Sequence, residues 1–284
     1  MEVRALSWNL FHGRDHPPER ELLTWRSRLL GRTERGTSHA QVNTDLAAQF
    51  EQVLAGAGWD VALLQECPPR WAERLATACG AAPHLVPTSR NIPVAGRLQG
   101  LLADRNPDLI ASWEGGSNLT LVRVAGPITE RRHLRLATRP ERRVMAFSRL
   151  AAGICVANLH ASAQRDSAER EVLVAARVAR EWAGSTPLLF GGDLNLRPAL
   201  SAPVFERLEN EFGLRAPTGE RVIDHLLVAG LGIAEPTAQW APERREVPDP
   251  TAAASAAGVL PIRLSDHAPV AARFATAAVQ ARSQ

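Results

Sequence analysis

Leu188-Leu189-Phe190-Gly191-Gly192-Asp193-Leu194-Asn195 packs an apolar run, two glycines, a carboxylate and a carboxamide into eight consecutive residues. The apolar run reads as a short buried strand, and the strand delivers Asp193 and Asn195 at its end. Working outward, the same design recurs along the chain. Val3 to Trp8 alternates as a first strand ending at Asn9, and Val61-Ala62-Leu63-Leu64 hands over Gln65 and Glu66 before Pro68-Pro69 forbid continuation. Further strands are predicted near 118–124, 131–137, 142–150, 153–159, 221–228 and 267–274. Their ends carry Asn158 and His160, Asp224-His225, and Ser265-Asp266-His267. One Asp or Asn after a strand is an ordinary turn residue. A series of them is not, because parallel strands bring their carboxyl ends to one edge, where ligands bind.

Between the strands lie helical patterns. One starts from a Thr44 cap and runs to Gly56, a second covers 70–79, and a third opens with the Asp166/Glu169 spacing and ends at Gly184. Strands alternating with helices make the fold class α/β. No boundary signal divides the chain, so residues 1–274 are expected to form a single domain. It carries an Arg-rich insertion loop at 12–42 and a Pro- and Ala-rich loop at 242–262, and residues 275–284 are read as a flexible tail.

The 284 residues are 45% hydrophobic and 22% charged, enough for a large core. All 33 basic side chains are Arg and Tyr is absent, which excludes Walker lysines, Schiff-base lysines and catalytic tyrosines. Three cysteines without a CxxC pair describe no disulfide framework and fit a reducing compartment. The opening residues read as a strand rather than a signal peptide, and no apolar run is long enough to span a membrane. A cytoplasmic protein with no membrane span and no stable protein partner is the expectation.

The series Trp8-Asn9, Gln65-Glu66, Asn158-Leu159-His160, Gly192-Asp193-Leu194-Asn195, Ile223-Asp224-His225 and Ser265-Asp266-His267 resembles the endonuclease/exonuclease/phosphatase superfamily, the fold of deoxyribonuclease I, over residues 5 to 274. The resemblance implies a four-layer α/β sandwich, two packed and mostly antiparallel β-sheets flanked by helices. It also implies divalent-metal-dependent hydrolysis of phosphoesters, by metal-assisted attack of an activated water. Hard oxygen ligands suit Mg²⁺, or Mn²⁺ in its place. Glu66 and Asp266 are the expected metal ligands, with Asn9 beside them.

Asp193 and Asn195 are two apart, so on an extended segment both side chains project to one side. One can orient the water while the other holds it or the phosphate. Asp193 can accept a proton only if like charges raise its pKa, and Glu66 and Asp266 could do so. By resemblance, His267 pairs with Asp224 and His160 contacts the phosphate. His267 is either a general base or a cationic clamp. His225 would face away from Asp224 and is read as structural. His12, His16, His39, His84 and His133 stand in no metal-ligand spacing and are read as ordinary side chains.

For the substrate, Arg131, Arg132 and Arg135 lead a cluster continued by Arg139, Arg142, Arg143 and Arg149. The cluster either tracks a phosphate backbone or is a solvated hairpin face. A second cluster, Arg14, Arg20, Arg26, Arg28, Arg32 and Arg35, could wall a groove. A nuclease or phosphodiesterase acting on nucleic acid is the leading expectation. A hydrolase of small phosphoesters or phospholipid head groups, inositol-phosphatase-like or sphingomyelinase-like, is the alternative. An inactive binding protein of the same fold should lack one of Glu66, Asp193, Asn195, Asp266 and His267, and none is missing. The abasic-site branch of the superfamily uses a catalytic Tyr, which this chain does not have.

Overall fold

The computed structural model describes residues 2–88, 106–124, 126–252 and 258–276. The strands are β1 (Glu2–Asn9), β2 (Glu34–Arg35), β3 (Ala40–Gln41), β4 (Val61–Cys67), β5 (Ala82–Pro87), β6 (Ser117–Val122), β7 (Ile128–Ala137) and β8 (Arg143–Leu150). They continue as β9 (Ile154–His160), β10 (Leu188–Asp193), β11 (Asp224–Ala229), β12 (Leu231–Gln239), β13 (Glu246–Pro248), β14 (Pro261–Arg263) and β15 (Val270–Thr276). The helices are α1 (Trp25–Leu30), α2 (Ala47–Gly56), α3 (Ala72–Cys79), α4 (Pro107–Glu114), α5 (Arg165–Ala183) and α6 (Pro198–Phe212).

Two sheets stack face to face, with strand orders β12-β15-β1-β4-β6-β5 and β11-β10-β9-β8-β7. Val3, Ala5, Val61 and Leu63 from the first sheet meet Val156, Leu189, Leu226 and Val228 from the second in the central core. The outer face of the first sheet, with Leu6, Trp8 and Leu64, is covered by Phe50 and Leu54 of α2 and Leu75 of α3. The outer face of the second sheet packs against Val172, Ala175 and Ala179 of α5 and Val204 and Leu208 of α6. Helix, sheet, sheet, helix are the four layers expected.

Among the described residues, neighbouring strands are antiparallel except in two pairs, β1 with β4 and β9 with β10. Each of these pairs is a β-α-β unit, closed by α2 and by α5. Within each unit the two strands end together: Asn9 stands opposite Gln65, and His160 opposite Asp193. The Gly-Gly step of β10 is a packing requirement. A Cβ on Gly191 would overlap the His225 carbonyl, and one on Gly192, whose φ is +129°, would overlap the Leu159 carbonyl.

Several expectations are corrected. The 12–42 stretch is not a plain loop: it holds 3-10 turns at Phe11–Gly13 and Arg20–Leu22, helix α1 capped by Thr24, and the β2–β3 hairpin. Its helix exposes Trp25, Leu29 and Leu30, so no amphipathic period betrays it. The 242–262 loop contains β13 and reaches into β14, although residues 253–257 of it lie outside the described residues. The cap of α2 is Leu46, not Thr44, and the Asp45 carboxylate accepts the Ala47 N–H at 3.2 Å. Strand β15 runs through Ala275 and Thr276, which pair with Glu2 and Leu231, so the tail boundary at 275 falls inside a strand and residues 277–284 lie outside the description.

Strands β5 and β12 and helix α6 are not predicted from sequence. The two strands are edges interrupted by proline, and α6 has Pro203 inside it. Among the described residues no helix is long and apolar enough to cross a membrane. The three cysteines are unpaired and buried.

Candidate active site

Because the two parallel pairs end on the same edge of the sandwich, Asn9, Glu66, His160 and Asp193 converge there. Two antiparallel neighbours add to them. Asp224 opens β11 directly opposite Asp193, and Ser265-Asp266-His267 precede β15, which pairs with the end of β1. The parallel-edge reading of the sequence is thus right for two strand pairs and incomplete for the rest.

Asp193 is the hub. It is 1% exposed, and its Oδ2 accepts Asn9 Nδ2 at 2.9 Å while its Oδ1 accepts the Asn195 backbone N–H at 3.0 Å. His160 Nε2 lies 3.5 Å and His267 Nε2 3.8 Å from Asp193 Oδ2. Burial and the neighbouring Asp224 push the Asp193 carboxyl up to about 7, against the opposing pull of His267 and of the Asn9 and Asn195 donors. The expected like-charge source, Glu66 and Asp266, is therefore replaced by desolvation and Asp224.

His267 Nδ1 bonds Asp224 Oδ2 at 2.8 Å, the pair expected from sequence. Burial alone would lower its pKa, but the hydrogen bond and charge of Asp224, with Asp193 and Asp266, push it up to about 10. The ring is held by its backbone as well: Ser265 Oγ accepts the His267 N–H at 3.0 Å and donates to the Asn9 carbonyl at 2.6 Å. His160 has the opposite character. Burial, then Arg143, His267 and His12, hold its pKa well below the ordinary value. Its Nδ1 sits 3.2 Å from Arg143 Nη1, and a guanidinium can only donate, so the ring proton belongs on Nε2.

Glu66 lies beside His12 and His160, with Nε2 to carboxylate distances of 3.3 and 3.9 Å. Burial first, then the charge of Asp266, raise its pKa. Asp266 Oδ1 is 4.0 Å from His267 Nε2. Asn195 departs from the extended geometry expected: its φ is +53°, and its Nδ2 turns to the Ala161 carbonyl at 3.0 Å. Among the described residues, five of the six non-glycine residues with positive φ, Phe11, His12, Glu66, Asn195 and Ser265, belong to this edge. Backbone strain of this kind, about 1–3 kcal/mol each, concentrates where function requires it.

The sequence profile of the Endonuclease/Exonuclease/phosphatase family matches residues 6–267. The chain belongs to that family. No curated protein matches the sequence. A family protein of Bacteroides thetaiotaomicron shares 13% identity, with 96% of this chain and 97% of that chain covered and a TM-score of 0.60. A mannosyl-6-phosphatase of the same organism gives 12% identity, 96% and 99% coverage and a TM-score of 0.60. Truncated TDP2 of Caenorhabditis elegans gives 15%, 97%, 98% and 0.56.

Two residues of this family member's site escape the sequence reading. His12, read as ordinary, reaches Glu66 because left-handed backbone at Phe11, His12 and Gly13 turns the chain back after Asn9. Arg143, counted with the exposed cluster, is 8% exposed and braces His160. That cluster is divided. Arg131 and Arg135 share one face of β7 and Arg132 takes the other, 2.5 Å from Glu130; Arg149 also pairs with Glu130. The second cluster is dispersed too: Arg14 stacks on Phe11, Arg26 lies over Trp25 and Arg35 pairs with Asp249. His225 is structural as expected, bound to the Leu196 carbonyl and the Thr218 N–H.

Proposed function

We propose that the protein hydrolyses a phosphoester with a divalent cation, Mg²⁺ or Mn²⁺, held by Glu66, Asp266 and the Asn9 carboxamide oxygen. The donor set fits a hard cation. It is all oxygen, and burial first, then the charge of Asp266, raise the Glu66 pKa, penalties on the carboxylate that a bound cation relieves. Asp193, Asp224 and His267 also gather ligand atoms within 4.8 Å. His267 Nδ1 is bound to Asp224 and both Asp193 oxygens accept protein donors, and against burial Asp224 pushes the His267 pKa up to about 10, so that trio is assigned to phosphate binding and proton handling.

The observation that carries the reading is the geometry of two groups: the buried Asp193 carboxyl, fixed by Asn9 and Asn195, lies 3.8 Å from Nε2 of the His267 ring, whose Nδ1 is bound to Asp224 at 2.8 Å. Burial and Asp224 push the carboxyl up to about 7, and against burial Asp224 pushes the imidazole up to about 10, which supports base and cation roles within one site. Asp193, fixed by Asn9 and Asn195, accepts the proton of the attacking water. His267, oriented by Asp224, presents Nε2–H to a phosphate oxygen, and neutral His160 offers a second Nε2–H. A bound cation would supply charge neutralisation on the phosphate.

For the substrate, nucleic acid is supported by a groove of about 790 Å³ between edge strands β5 and β7. His133, Arg135 and Arg142 line it, Arg131 reaches across to the Pro83 carbonyl, and its described lining includes no carboxylate. The small-phosphoester alternative is favoured by a pocket of about 200 Å³ lined by Arg14 and Arg28. One fold neighbour is named for a sugar phosphate, mannosyl-6-phosphatase.

The test is hydrolysis of plasmid DNA, single-stranded RNA and bis-p-nitrophenyl phosphate with Mg²⁺ and with EDTA. His267→Ala is expected to lose at least two orders of magnitude in rate while staying folded. Mg²⁺ is expected to raise Tm for the wild type and not for the Glu66→Ala, Asp266→Ala double variant. Turnover that survives EDTA, or persists in His267→Ala, overturns the reading.

A further inference from the structure

Helix α1 is built inside out. Ser27 is its buried residue: Ser27 Oγ bonds Gln41 Oε1, with Asp108 Oδ2 at 3.2 Å, and the Ser27 carbonyl accepts Asn43 Nδ2 at 2.8 Å. At about 100° per residue, Trp25 and Leu29, four apart, lie on the far side of the helix from Ser27, with Arg26 and Arg28 on its two flanks. A surface helix ordinarily turns its apolar stripe to the core and its charges to water. This one is anchored through a hydroxyl and turns a Trp and a Leu outward, 64% and 57% exposed.

The outward face continues beyond those two. Leu23 precedes the helix, Leu30 closes it, and Leu109 belongs to α4, whose capping Asn106 donates Nδ2 to the Arg28 carbonyl at 2.9 Å. These five are half of the ten large apolar side chains left exposed among the described residues. Scattered singly they would be ordinary; gathered on two adjoining helices they mark an interaction surface. The charge around them has one sign. From Arg20 to Arg32 the chain carries four exposed arginines, Arg20, Arg26, Arg28 and Arg32, against one acid, Glu21, and Arg26 lies over the Trp25 ring at 5.6 Å.

We propose that this face docks the protein on an anionic lipid surface, with Trp25 and Leu29 entering the headgroup layer and the arginines meeting lipid phosphates. Trp is suited to the membrane–water boundary, and arginines interleaved with apolar side chains suit an anionic leaflet. A second copy of the chain fits less well, because a two-fold contact on this face would set the same arginines against one another. Six helical residues span only about 9 Å, so the helix lies in the interface rather than crossing it. Leu23 and Arg28 line the same pocket as Arg14, whose carbonyl accepts the Ser265 N–H at 2.9 Å, so docking would hold the candidate-site edge close to the lipid. Lipid docking goes beyond the hydrolase reading and does not depend on it.

The test is co-sedimentation of the full chain, in EDTA where no turnover intrudes, with phosphatidylcholine vesicles and with vesicles carrying about one third phosphatidylserine. Binding to the anionic vesicles is expected to be at least tenfold tighter and to weaken with salt. Trp25→Ser, Leu29→Ser is expected to weaken it at least tenfold, and Arg26→Gln, Arg32→Gln roughly fivefold per arginine. All four side chains are exposed, so these variants leave the core intact. Val174→Ser, on the 49% exposed Val174 of α5, is expected to bind as the wild type does. No binding to anionic vesicles, binding retained in Trp25→Ser, Leu29→Ser, or an equal loss in Val174→Ser overturns the proposal. So does a concentration-dependent dimer that Trp25→Ser, Leu29→Ser abolishes, which would make the face a contact between copies, and so does nucleic-acid affinity lost in that variant in place of vesicle binding. A chain that binds vesicles but hydrolyses nothing keeps the docking face and loses the hydrolase reading.

Discussion

Asp193 and His267 are both displaced toward their protonated forms, and Asp224 contributes to each. Burial first, then the charge of Asp224, pushes the Asp193 carboxyl up to about 7, while against the pull of burial the hydrogen bond and charge of Asp224 push His267 up to about 10. Stability should report this. Folded His267 keeps its proton to about pH 10, against an ordinary value of 6.5, so the Asp224 pair contributes fully below 6.5 and its contribution is lost as pH rises toward 10. For metal-free protein, Tm is expected to fall between about pH 7 and 9 and to fall less steeply in His267→Ala. Equal slopes would mean that the ring does not carry the proton. Asp193 acts in the other sense: its folded pKa of about 7 means that charging it costs stability as pH rises from 3.8 through 7. Asp193→Asn is therefore expected to lose activity yet melt a few degrees higher than wild type at about pH 8. Sequence reveals which residues these are, because Gly192-Asp193-Leu194-Asn195 and Ser265-Asp266-His267 are dense local patterns. It does not reveal His12 or Arg143, whose places depend on a left-handed turn and on burial, neither of which leaves a spacing to find.

Strands carry the site because their ends are pinned from beneath. Gln65 Nε2 donates to Asn158 Oδ1 at 2.8 Å across the two sheets, and Asn158 Nδ2 donates back to the Leu64 and Leu119 carbonyls at 3.3 and 3.2 Å. These two residues, read in sequence as strand-end polar groups, tie the sheets together under the site. The tie requires Gly192, since a Cβ there would lie 3.1 Å from Gln65 Nε2 besides overlapping the Leu159 carbonyl. Gly192→Ala is expected to cost about 2 to 3 kcal/mol or more in urea denaturation, through overpacking at a positive φ. A loss under about 0.5 kcal/mol would show that β9 and β10 can separate without penalty. Elements with a clean period were legible, such as β10 and α5. Among those that were not, β5, β12 and α6 contain prolines, β12 slips register on either side of Glu235 and α6 has a non-helical Ser201, and tertiary pairing rather than local preference holds them.

At the scale of the molecule, charge follows topology rather than sequence neighbourhood. Arg131, Arg132 and Arg135 are close in the chain, but β7 is an edge strand whose two faces lead to different places. Leu134 and Leu136, on the Arg132 face, pack toward α5 and its core. The Arg131 and Arg135 face opens on the groove shared with β5, and Arg142 closes it by donating to the Thr88 carbonyl. Thr88 itself lies against Gly116, which neighbours His12 and the Glu66 backbone, so the groove leads to the candidate site. A polyanion bound there should release counterions only for the charges it meets. The slope of log affinity against log salt, for a single-stranded nucleic acid, is expected to shrink by roughly one to two on going to Arg131→Ala, Arg135→Ala, and to stay unchanged in Arg132→Ala, whose guanidinium lies on the other face of β7 against Glu130. Equal effects from all three would mean that binding senses net charge alone. No effect from any would leave the groove as ordinary surface, and the substrate would then be one that the small pocket and the phosphate site can hold between them.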